Sequence, residues 1–266
     1  MSEASVSPSN QLVSWPVAVQ CARDRMRSGP VITFTILLGL TGIAAGSMRS
    51  PADIFGGVSP FSRLFLLALT LALGSALISE EVDSGHAQLV LLRPLSRAAF
   101  FGGRLAGAGM VLLAAMTLSW LVAVGFILVA DRFTPYVFLA LPIAFLWAFA
   151  WLALLAAVSA VVRGSGNAVW VMVCAVLWVT IKFGTLGIGT FAEAQHRWPW
   201  MVSLKDFANV VLPFIGPQDA NDLVEQVVQH ATLDFNALLL DLVYIAGSWT
   251  AGAYFFSKRE LARRRG

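Results

Sequence analysis

Residues 80–104 read EEVDSGHAQLVLLRPLSRAAFFGGR, and the reading of this stretch decides how the rest of the chain is understood. It lies between two long apolar runs. Three acids open it, Glu80, Glu81 and Asp83, and Gly85 follows. An apolar block covers Leu89 to Leu92, Arg93 and Arg97 flank Pro94, and Arg104 closes the segment. A plain tether between two spans would be featureless or polar throughout. This one predicts a short helix with an apolar face, bounded by a glycine and a proline. Proline lacks an amide proton and disfavours helix in the residue before it, so that helix should stop near Arg93. Ser96 is placed to cap the next helix. An amphipathic helix at a membrane surface, ringed by charge, suits the grip of a soluble partner.

Composition explains why a membrane enters the argument. Of 266 residues, 58% are hydrophobic and only 12% charged, and mean hydropathy is +0.76. A soluble domain carries about 25% charged residues, so this chain is expected to be an all-α polytopic membrane protein. Spanning the hydrocarbon core takes about 20 mostly apolar residues. Six stretches qualify, roughly 30–48, 61–79, 104–130, 135–162, 167–189 and 236–257. Pro142 falls inside the fourth and is expected to kink it, with neighbouring helices serving the freed carbonyl.

Residues 1–10 are polar and expected to be disordered. No secretory signal pattern precedes the first span. Leu12, Trp15, Val19, Ala22 and Met26 recur at helical spacing, with Arg23, Arg25 and Arg27 crowding the end. That pattern predicts an amphipathic helix lying in the membrane interface. Lys and Arg then set the orientation. With the N-terminus inside, twelve basic residues fall on the cytoplasmic side (Arg23, Arg25, Arg27, Arg93, Arg97, Arg104, Arg163, Lys258, Arg259, Arg263, Arg264 and Arg265). Five fall outside: Arg49, Arg63, Arg132, Arg197 and Lys205. Both termini and residues 80–104 are therefore expected in the cytoplasm. The long outer loop, 190–235, carries Trp198 and Trp200 at interfacial positions and reads as a lid or re-entrant helical pair, the alternative being a plain surface loop. The basic tail, 258–266, is a topological stop that adds little lipid binding. It is too short, and too poor in aromatics, for nucleic acid.

The chain lacks the motifs of several chemistries. There is no G-x-x-x-x-G-K-[ST], so it holds no ATP through a P-loop of its own. His86, His196 and His230 are far apart, and neither H-E-x-x-H nor C-x-x-C occurs, so no metal is expected. Cys21 and Cys174 sit in different segments and suggest no disulfide framework. No G-x-S-x-G elbow is present. No catalytic site and no cofactor are expected. Charge well inside the spans is sparse. Lys182 and Asp241 come out at similar depth near the outer ends of the fifth and sixth spans, and a buried ion in lipid usually finds a partner. A Lys182–Asp241 pair is one reading; separate snorkelling to the interface is the other. Gly42 and Gly46, and Gly103 and Gly107, have the four-residue spacing that lets helices approach closely.

Taken together, the chain resembles the ABC-2 type permeases, the membrane subunits of type V ABC transporters. The residues that carry the likeness are Glu81, Gly85, the Leu91-Leu92 pair, Pro94, Arg97 and Gly103-Arg104, where the family more often has Gly-Lys. The resemblance implies an elbow helix within 1–29, one six-helix permease domain over 30–257, and a short cytoplasmic coupling helix between spans two and three. It implies that Glu80, Glu81, Asp83, Gly85, Leu91, Leu92, Pro94, Arg97 and Arg104 belong to the region that sits on an ATPase. The implied partners are a P-loop ABC ATPase, a second permease copy, identical or paralogous, and membrane lipid. The implied place is the plasma (inner) membrane, and the implied activity is export, ATP being hydrolysed on the separate subunit. The alternatives are a carrier needing no ATPase, or a membrane scaffold that recruits a soluble complex.

Overall fold

The structure, a computed structural model, describes residues 12–47, 60–85, 95–130, 137–162 and 235–258, with isolated positions between 166 and 203. Among these the chain is all-helical. The helices are α1 (Trp15–Met26), α2 (Gly29–Ser47), α3 (Pro60–Gly74), α4 (Ser79–Asp83), α5 (Arg97–Val129), α6 (Val137–Val161) and α7 (Phe235–Lys258). Four stretches are long and apolar enough to cross a membrane: Leu64–Asp83 taken across its interruption, Arg97–Val129, Val137–Val161 and Leu238–Lys258. The bent α1–α2 pair makes a fifth if counted as one span. The sequence-predicted fifth span, Lys182, the 190–235 loop and most of the basic tail lie outside the described residues.

Local sequence accounts for most of the helix ends. Pro16 stands in the first turn of α1, where a missing amide proton costs nothing. The charged run through Arg27 ends α1, and Gly29-Pro30 opens α2 at 75° to it. Ser96 caps α5 as expected, its hydroxyl accepting from the Ala99 amide at 3.1 Å. The helix therefore begins seven residues before the apolar run 104–130 and reaches 33 residues. α6 continues through Pro142, which falls in its second turn.

α5 is the axis of the bundle, in contact with α1, α2, α3, α6 and α7. Small residues set how close these neighbours come. A Cβ on Gly42 of α2 would stand 2.6 Å from the Ser119 carbonyl oxygen of α5. Ser119 Oγ donates to the Leu38 carbonyl across the same crossing, at 2.8 Å. Gly109 lies against the Phe149 ring of α6, and Trp120 Nε1 donates to the Val137 carbonyl at 3.0 Å. Backbone carbonyls of α1 lie against Gly103 and Gly107 of α5. The four-residue spacing at 103 and 107 thus seats the amphipathic helix rather than a second full span.

α1 has three faces. Ala18, Cys21 and Ala22 are buried against α5. Trp15, Val19 and Met26 are exposed on an adjoining arc. Gln20, Arg23, Asp24 and Arg27 make the polar arc. That is the division an interfacial helix needs: one face to protein, one to acyl chains, one to water.

One departure concerns span two. The run 61–79 reads as one span; the helix in it stops at Gly74 and restarts at Ser79. Ala76 between them has φ +51°, the left-handed region, where a side chain costs about 1–2 kcal/mol.

Candidate functional site

The interruption in span two lies beside the densest polar cluster among the described residues. Arg104, two turns into α5, is 5% exposed. Its Nε and Nη2 donate to the Leu77 carbonyl at 3.3 and 3.2 Å, and its Nη1 lies 2.9 Å from Glu81 Oε1. A buried guanidinium is tolerable only when its charge is balanced and its donors are used. Glu81 balances the charge and Leu77 uses two of the donors. From α6, Ser159 Oγ accepts from the amides of Ile78 at 2.9 Å and Ser79 at 3.2 Å. Those two amides would have bonded back to residues 74 and 75 in a continuous helix. The break therefore has its donors and its Leu77 acceptor served by side chains of two other helices.

A second, looser pair sits alongside. Arg25 Nη2 of α1 is 3.2 Å from Glu80 Oε2, with the Glu80 side chain 64% exposed. Burial lowers the pKa of the Arg25 guanidinium and the neighbouring Arg104 charge adds to this, while Glu80 opposes it. Burial likewise raises the Cys21 thiol, against the pull of Arg104 and Arg25, so it stays protonated near neutrality. Cys21 Sγ donates to the Arg104 carbonyl at 3.3 Å, and the Ser14 amide to the Ala99 carbonyl at 3.0 Å. α1 is thus fixed to α5 near the cluster and tied to α4 by one exposed ion pair.

The acids at the head of the 80–104 stretch form a helix of their own, which was not foreseen; the helix expected between Gly85 and Pro94 lies outside the described residues. α4 carries Glu80 and Asp83 outward and Glu81 inward. It ends as the Ser84 amide bonds the Glu80 carbonyl at 2.9 Å and the Gly85 amide the Val82 carbonyl at 3.2 Å. Gly85 has φ +79° and nothing within 4 Å of where a Cβ would be. Its glycine is needed for the backbone angle and not for space. Arg97 Nη1 donates to the Ser257 carbonyl near the end of α7 at 2.6 Å, and Phe100 stacks on Phe256 at 5.7 Å.

Of the residues the sequence singled out, Glu81 and Arg104 are brought into direct contact. Glu80, Asp83 and Gly85 lie on or just after the same short helix, and Arg97 stands at the foot of α5. Leu91, Leu92 and Pro94 lie outside the described residues. Asp241 is fully buried in α7 while Leu239, Leu242 and Val243 beside it are exposed. Leu77, Ser159 and Arg25 were missed. A single hydroxyl near the end of a 25-residue apolar helix was the available signal for Ser159. For Arg25 it was a place on the buried side of α1, away from Arg23 and Arg27.

The arrangement gathers several helix ends into one polar cluster. It joins the ends of α1, α3–α4, α5, α6 and α7 at one end of a membrane bundle, with α4 projecting two acids from it. A family model described as ABC-2 family transporter protein matches residues 36–261. The chain belongs to this family. ABC-2 permeases are in general non-catalytic membrane components of ABC transporters, and the family implies an ABC ATPase as partner. No curated protein matches the chain significantly. The multi-pass character read from composition agrees with the family and with the long apolar helices.

Proposed function

We propose that this ABC-2 permease is the membrane subunit of an ATP-driven exporter, working as a pair of permeases on two ATPase subunits. Residues 80–104 are then the place where the ATPase takes hold. The observation that carries this is the Glu81–Arg104–Leu77 linkage. It fixes the head of that stretch to the longest helix of the bundle, so force applied there reaches the spans instead of a slack loop. Glu81 and Arg104 face inward and act by holding; Glu80 and Asp83 are exposed on α4 and available for contact. Leu91, Leu92, Pro94 and Arg97 complete the region on the strength of the family likeness.

The same reading orients the molecule. The helix ends that gather around Arg104 are those that the twelve-to-five bias of basic residues assigns to the cytoplasm, which favours cytoplasmic termini in the plasma membrane. Residues 1–29 then hold the elbow helix, 30–257 the six-helix permease domain and 258–266 the tail. ATP closes the ATPase pair, the coupling segments move, and the permeases rock about their interface. Differential affinity of the ATPase for ATP and ADP supplies the two states this needs. A Lys182–Asp241 pair would neutralise the buried Asp241; charge swap at both positions should rescue the single reversals, and failure to rescue removes the pair.

The test of the function is copurification from the native membrane followed by ATPase assay. A P-loop ATPase should come with the permease and be stimulated by it. Gly85→Ala should cut the stimulation while the permease stays folded and inserted. A permease that brings no ATPase, or a Gly85 variant with full stimulation, would overturn the reading.

A further inference from the structure

We infer that the interruption at Ser75–Ile78 is a working joint in span two, and that Ser159 is the positioning residue that latches it. Its role in transport rests on the function proposed above; its existence does not. Three observations lead here. First, the local cause is weak: Gly74-Ser75 loosens the helix there, but no proline lies between Pro60 and Pro94, and Ala76 and Leu77 are good helix formers. Ala76 nonetheless adopts φ +51°, a conformation that persists only when the surroundings enforce it.

Second, the enforcement comes from α6. Ser159 is fully buried, and its one hydroxyl oxygen accepts both amides freed by the break, from Ile78 and Ser79. Gly74, the last residue of α3, rests on Leu155 of the same helix, where a Cβ would come within 2.7 Å of the Leu155 Cβ. Leu155 and Ser159 are one turn apart, so α6 grips both sides of the break along one stripe. Third, Arg104 holds the Leu77 carbonyl on one side and Glu81 beyond the break on the other. What lies past the joint, α4 with its outward acids, keeps backbone bonds to the break, Leu77 amide to the Gly74 carbonyl at 3.3 Å and Glu80 amide to the Ala76 carbonyl at 3.1 Å, but at Ile78 and Ser79 side-chain bonds take the place of the regular ladder. Side-chain bonds of this kind can be broken and remade without unfolding α3.

Hydrogen exchange on the full permease in lipid nanodiscs tests this without any ATPase or substrate. In the unaltered chain, amides at 78–83 should open independently of those at 66–73. Ser159→Ala removes the acceptor and should speed exchange at 78–83 about tenfold, leaving 66–73 and 105–115 unchanged. Ser159→Thr keeps the hydroxyl and should restore protection. Exchange of 66–83 as one block in the unaltered chain would overturn the joint, even if Ser159→Ala failed to fold. Unchanged exchange at 78–83 in Ser159→Ala, or no recovery with Thr, would overturn the latch. In the assembled transporter, Ser159→Ala should retain the ATPase but weaken its stimulation. If exchange behaves as expected and stimulation does not change, the joint stands and its part in coupling falls.

Discussion

Two joints interrupt the described helices, and they are held in different ways. At the first, between α1 and α2, the turn is satisfied by its own backbone. The Arg27 amide bonds the Asp24 carbonyl at 3.3 Å, Ser28 bonds Arg25 at 3.1 Å and Ile32 bonds Ser28 at 3.1 Å. The nearby ion pair, Arg25–Glu80, has one partner largely in solvent. At the second, between α3 and α4, the backbone serves itself only in part, and Ser159 and Arg104 reach in from α6 and α5 to finish the work. A joint closed by local bonds keeps its angle wherever its helices go. A joint closed by distant side chains keeps its geometry only while those helices stay in place, so it senses their relative position.

The contrast can be broken most severely at Arg104. Arg104→Ala should cost about 3 kcal/mol or more, because it strips Leu77 and leaves Glu81 without its balancing charge in a buried site. Thermal unfolding in detergent against the unaltered protein measures it, and a loss near zero would mean the cluster is not buried in solution. Next comes the seat of α1. Gly107→Val would drive a side chain into the Ala18 carbonyl and the Cys21 Cβ, costing about 2 kcal/mol. The accompanying sign is that Cys21, otherwise inert as a buried protonated thiol, becomes open to maleimide.

Smaller effects sharpen the comparison by their sign. Ala76→Gly would cost about 1 kcal/mol in a continuous helix. At a residue held at φ +51° it should instead stabilise by about 0.5–1 kcal/mol, and a falling melting temperature would contradict the break. Smallest of all, Glu80→Gln should change stability by less than about 0.5 kcal/mol, since an exposed pair contributes little.

How much of this was visible beforehand follows from where each signal is stored. The helix α1 could be read because its pattern of apolar residues and alternating arginines is adjacent in the chain, and its bend into α2 has a local cause in Gly29-Pro30. Ser96 as a cap and Gly85 as a special backbone position were legible for the same reason. The membrane class followed from bulk composition. The break after Gly74 was not read, because Gly74-Ser75 is a weak signal inside an apolar run, Ala76 and Leu77 favour helix, and the residues that hold the break lie 27 and 81 positions away. α4 was missed with it, since its start depends on the break. Arg104 was marked by family likeness as part of the region that couples to an ATPase. Its burial was not legible, because it depends on α3, α4 and α5 packing together.

The length of α5 carries one more implication. Its 33 residues make a rod of about 50 Å, against a hydrocarbon layer of about 30 Å. Such a rod must lean or stand proud of the lipid, and its Arg97 end is where α1 and α7 are fastened. Pivoting by about 5° around that foot would carry the opposite tip about 4 Å. The Ser119–Leu38 crossing and the Trp120–Val137 contact lie most of the way along it, so small rotations applied at the base would be magnified at the far leaflet.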